Sequence, residues 1–135
     1  MVGKVLIPEA ELTVYETQGR ITVADVSDTV TNCLTDNPTQ LVIWDIRAAS
    51  FTGVTADDLR NVVIKARPLA DSRAGGKTAI VCAGGAEFGL ARLFQIYAEL
   101  YEAPIDIKVF ETMDNAIDWL GLNPEVLSKA KSSLS

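Results

Sequence analysis

Three short apolar-rich runs, residues 41–46 (LVIWDI), 78–82 (TAIVC) and 105–110 (IDIKVF), are each followed by a loop and then by a segment apolar at helical spacing. This alternation is the strongest constraint on the fold. Strands separated by helices lie parallel in one sheet and are joined by right-handed crossovers. Continuous apolar runs are what parallel strands show when both faces are covered. Two more strand patterns, residues 4–7 and 12–18, come before the first helix. Pro8-Glu9-Ala10-Glu11 joins them, a connection short enough to predict a hairpin. The expected order is ββαβαβαβα: an α/β fold with a mostly parallel sheet, an antiparallel edge hairpin and helices on both faces.

The helices read from period and punctuation. Thr22 opens the first, with Val23, Val26, Val30 and Leu34 on one side, and Asp36-Asn37-Pro38 stops it. Thr55 opens the second, which carries Leu59, Val62, Val63 and Ala66. Arg67-Pro68 ends or kinks it, because proline pushes the preceding residue out of the helical region. The third covers residues 87–102, and Thr112 opens the fourth, which Gly121 caps. Gly19 is expected to close the second strand and Gly84-Gly85 the fourth. Residues 1–121 form one domain without repeat or linker. Residues 122–135 are expected to be a short helix from Asn123-Pro124 or a frayed tail ending in the serine-rich residues 132–135.

Composition acts mainly by exclusion. The chain has no histidine, so a Ser-His-Asp triad, a Cys-His pair and histidine-ligated zinc or iron sites cannot be built from it. A net charge of −6 repels nucleic-acid phosphates. No apolar run approaches the ~20 residues that span a bilayer. Met1-Val2-Gly3-Lys4 leads directly into a strand pattern rather than a signal segment. Cys33 and Cys82 are far apart and fit a reducing, cytoplasmic setting. No metal and no cofactor is expected.

Several constellations are candidates for function. Cys82 ends a strand before Gly84-Gly85, where a nucleophilic thiolate or a bound phosphate could sit. The loop carries Glu87 and no arginine, which opposes both uses and favours a buried structural thiol and a plain turn. Asp57 and Asp58 fall in a first helical turn, where acids complement the helix dipole. Asp45 follows Trp44 in an apolar strand, and Arg47 lies on the same side two residues on. The two are either a structural ion pair or part of a site at the strand's end. Phe88, Leu93, Phe94 and Tyr97 crowd one helix, as core, as a partner patch or as the lining of a pocket. Thr22, Thr55 and Thr112 each precede a helix with Asp25, Asp58 or Asn115 three positions on, in the manner of a capping box.

The ββαβαβαβα pattern over residues 4–121 resembles STAS domains, the anti-sigma-factor antagonists, in the small stand-alone bacterial form also described as CRAL-TRIO-like. Asp45 ending an aliphatic run and Phe51 beyond it keep two features of that family. Thr55 falls on the position of its phosphorylated serine. Gly53, Val54 and Ala56 depart from it, standing where the family has its aspartate, first serine and glycine. The resemblance implies a non-enzymatic regulatory domain, homodimeric, that meets a protein partner such as a regulator or kinase. Its contact surface is expected to be the loop at residues 49–55 with the following helix. Thr55, Asp45, Arg47, Phe51, Thr52 and Asp58 are the candidate phosphorylation or partner-binding residues. The CRAL-TRIO likeness implies an alternative, a small apolar ligand held near Phe88, Leu93, Phe94 and Tyr97.

Overall fold

A computed structural model describes residues 1–126 and 128. Strands β1 (Val2–Ile7) and β2 (Leu12–Arg20) form the expected hairpin around a 3-10 turn at Pro8–Ala10. Then come α1 (Val23–Thr35), β3 (Leu41–Ser50), α2 (Ala56–Ala66), a 3-10 stretch at Arg67–Arg73, β4 (Lys77–Val81), α3 (Gly85–Leu100), β5 (Asp106–Phe110) and α4 (Met113–Leu120). The sheet order is β1-β2-β3-β4-β5. β1 is antiparallel to β2, and every later pair is parallel. The fold class therefore stands as the sequence predicts it. The expectation for the serine-rich residues 132–135 lies outside the described residues.

Sheet order decides where the helices go. Each crossover joins neighbouring strands in one direction, so right-handed connections place α1, α2 and α3 on the same face. There Val30, Leu34, Leu59, Val62, Val63 and Phe94 pack on Ile46, Ile80 and Cys82. α4 follows the last strand and covers the opposite face, where Ala116, Ile117 and Leu120 pack on Val5, Leu12, Ile43 and Val81. Alternation along β3 separates the two cores: Val42, Trp44 and Ile46 face one way, Leu41 and Ile43 the other.

Three strands outrun their sequence limits, β1 by starting at Val2 rather than at residue 4. β3 does not end near Asp45 but continues to Ser50, and β2 continues to Arg20. Their extensions pair with each other, Gln18 with Ala48 and Arg20 with Ser50, past a register shift between Glu16 and Gln18. Gly19 lies inside this ribbon at φ 75° and does not close the strand. The left-handed conformation costs glycine little and lets the ladder resume after the irregularity. α3 starts and stops two residues before its predicted limits, because Gly84 turns the chain at φ 110° and Glu102 leaves it at φ 58°.

A buried arginine ties the amino ends of the central strands together. Arg73 is 2% exposed and donates to the carbonyls of Thr39, Gln40 and Lys77 and to Thr78 Oγ1. Gly76 lets the chain pass beneath it. A Cβ there would stand 2.5 Å from the Gln40 carbonyl oxygen, so no other residue fits without moving backbone.

Candidate functional site

Asp45 and Arg47 form a local ion pair. Arg47 Nε donates to Asp45 Oδ1 over 2.9 Å and Nη2 to Oδ2 over 2.8 Å, and the Arg47 backbone N–H adds a bond of 3.2 Å to Oδ1. The Asp45 hydrogen bonds hold the guanidinium above its ordinary pKa. The pair lies on the face that α4 covers elsewhere, and the Arg47 side chain is 42% exposed. A partly exposed pair of this kind contributes at most about 1 kcal/mol.

Thr55 stands at the same end of the sheet but begins α2, on the opposite face from Asp45. Its Oγ1 accepts the Asp58 N–H at 3.1 Å, and Asp58 Oδ2 accepts the Thr55 N–H at 2.9 Å. Thr22 and Asp25 make the same reciprocal box at the start of α1. Thr112 accepts from the Asn115 N–H. Capping therefore accounts for all three threonines. Of the loop before Thr55, Thr52 and Gly53 are exposed, and Ser50 Oγ and Thr52 Oγ1 share a hydrogen bond. Phe51 and Val54 turn inward instead.

What they turn toward is a cavity of about 70 Å³ between the sheet and the three helices. Tyr15, Thr17, Trp44, Ile46 and Ile80 form its floor. Val26, Val30 and Leu59 come from α1 and α2, and Leu90, Ala91 and Phe94 from α3. Phe51 and Val54 follow the end of β3, and Glu87 and Val26 lie in early helical turns. The cavity thus sits at the carboxyl end of the parallel strands, where open α/β sheets place their ligands.

Its walls present carbon because each hydroxyl among them is engaged. Tyr15 Oη donates to Asn32 Oδ1, Thr17 Oγ1 to the Asp45 carbonyl, and Thr29 Oγ1 to the Asp25 carbonyl. Burial pushes the Tyr15 phenol up from its usual value, with the neighbouring Cys33 adding to the shift. No ionising group of the floor is available as an acid or base near neutrality.

A second cavity of about 50 Å³ lies toward the amino ends of the strands, among Cys33, Leu34, Arg73, Thr78 and Ala98. Arg73 could suggest an anion site, but its donors are spent. A guanidinium has five N–H groups. Four go to oxygen and the fifth points at Cys33 Sγ, 3.8 Å from Nη1. Burial pushes the Cys33 thiol up, against the opposing pull of Arg73. Cys82 is fully buried in the three-helix core and its thiol is also raised by burial, which fits a structural role.

Of the four aromatic and aliphatic candidates on α3, Phe94 lines both cavities. Phe88, Leu93 and Tyr97 pack against the core beside them and line neither. The cavity is walled instead by Glu87, Leu90, Ala91 and Phe94, a face that helical period counts back from Phe94. Reading by side-chain size passed over Ala91, the small residue that leaves the space. No helix among the described residues is long and apolar enough to cross a membrane. Comparisons with protein-family models, with curated proteins and with solved structures found no match.

Proposed function

We propose that the protein binds a small apolar ligand and performs no chemistry on it. The observation that carries this reading is the cavity at the carboxyl ends of the strands, whose three hydroxyls are all hydrogen-bonded elsewhere and whose lining is almost wholly carbon. Such a space gains by taking apolar surface out of water, about 25 cal/mol per Å². Trp44 fluorescence in a Trp119→Phe background, titrated with n-hexanol as an unbranched neutral probe, tests it. Wild type binds the probe saturably, and Ala91→Phe, which fills the cavity from α3, weakens binding tenfold or more. Absence of saturable binding by wild type sinks the reading.

A second reading, a STAS-like cytoplasmic domain that docks a protein partner and pairs with itself, is favoured by the same loop. Phe51 and Val54 wall the cavity while Thr52, Gly53 and Thr55 face solvent, so one short segment meets both ligand and surroundings. Phosphate on Thr55 would add nearly two negative charges beside Asp57 and Asp58 at a helix amino terminus. A photocrosslinker placed at Thr52 then captures a partner in cells, and Thr55→Glu abolishes capture while the fold persists. Equal capture by both proteins removes this reading.

A further inference from the structure

We infer that Trp44 and Phe94 form a partition that limits the length of chain the protein accepts, and that its ligand is a single unbranched alkyl chain. The inference rests on the ligand-binding reading above and names the ligand class.

The outer cavity, about 70 Å³, and the inner one, about 50 Å³, share three lining residues: Val30, Trp44 and Phe94. The Trp44 and Phe94 rings stand 5.4 Å apart between centroids, tilted by 52°. The two spaces follow one another along the strands. The outer reaches Ile46 and Ile80, and the inner reaches Thr78 and the final turns of α1 and α3 at Leu34 and Ala98.

Size selects the occupant. A dry apolar cavity that holds benzene measures about 150 Å³. Each chamber is less than half of that, which disfavours rings and branched groups and suits a chain one methylene wide. Chemistry sets the direction of entry. Both chambers reach the surface, but the inner one holds Arg73, whose donors are all engaged, whereas Glu87 lines the outer one and can accept a hydroxyl's hydrogen bond, so a polar headgroup stays at the Glu87 end. The partition itself is held by packing alone. Trp44 Nε1 is buried and has no hydrogen-bond acceptor among the described residues. Removing the Phe94 ring therefore joins the chambers without breaking a polar bond.

The test titrates n-alkanols from ethanol to dodecanol against Trp44 fluorescence, with Trp119→Phe as background. In wild type, affinity rises about fourfold per methylene, the transfer free energy of one buried CH₂, and levels off once the outer chamber is full. In Phe94→Ala the rise continues by at least about two methylenes, the content of a chamber of about 50 Å³. Phe94→Leu, which keeps more of the core, shifts the limit in the same direction. An identical limit in wild type and both variants, or a wild-type affinity that climbs through dodecanol without levelling, overturns the partition and leaves ligand binding standing. Failure of wild type to bind any alkanol removes both.

Discussion

Arg73 Nε donates to the Thr39 carbonyl oxygen over 2.6 Å, joining residues 34 positions apart in the chain. The same guanidinium reaches Gln40 and Lys77 carbonyls, the residues leading into β3 and opening β4. It works as a clamp between two parallel strands, with backbone oxygens in place of a carboxylate. Arg73→Met keeps the volume and orphans those acceptors. At about 1–3 kcal/mol for each buried unsatisfied group, the loss is several kcal/mol. A urea midpoint for Arg73→Met close to wild type contradicts the clamp.

The three threonine caps differ in what they hold, and the contrast separates capping from signalling. Thr22→Ala and Thr55→Ala should each cost about 1 kcal/mol, because both break a reciprocal box. Thr55→Asn supplies another good capping side chain and should recover most of the loss. Thermal denaturation reads this directly. A Thr55→Ala protein as stable as wild type places the threonine's role outside folding.

Acid should weaken the first cap. The backbone and side-chain hydrogen bonds from Thr22 hold the Asp25 carboxylate below its ordinary value of 3.8. A depressed folded value means that the stabilisation is complete above about pH 4 and drains as pH falls through the lower folded value. Asp36, lowered by the Lys4 ammonium, adds a contribution of the same sign. Urea midpoints measured between neutral pH and pH 2 should therefore fall on the acid side. Asp25→Asn should show a shallower fall than wild type, and parallel curves for the two proteins would remove Asp25 from the explanation.

Both thiols should be silent in the native protein. Cys33 is 4% exposed and Cys82 fully buried, and burial raises both pKa values, so neither presents a thiolate to solvent. A chromogenic disulfide reagent should label none of the two before urea is added and both afterwards. Rapid native labelling of Cys82 would reopen the nucleophile question.

Local order was written in the chain. The Thr-x-x-Asp starts, the apolar period of α1 and α2 and the runs at β3 and β4 are nearest-neighbour chemistry, and they gave the element order and the caps. The Asp45–Arg47 pair was legible for the same reason, since strand alternation places residues two apart on one side. The far ends of β2 and β3 were not legible. Residues 47–50 carry Arg47, two alanines and Ser50, a weak strand pattern, and they are extended because residues 18–20 of another strand run alongside. Nothing in the sequence around Arg73 marks it out; only the fold closes three carbonyls around it. The cavity belongs wholly to tertiary structure. It is a space left between elements, created where Ala91 is small, where Phe51 and Val54 turn inward, and where hydroxyls on two elements find partners pointing away. Sequence period shows which residues share a face; only the packed fold shows where that face is left unfilled.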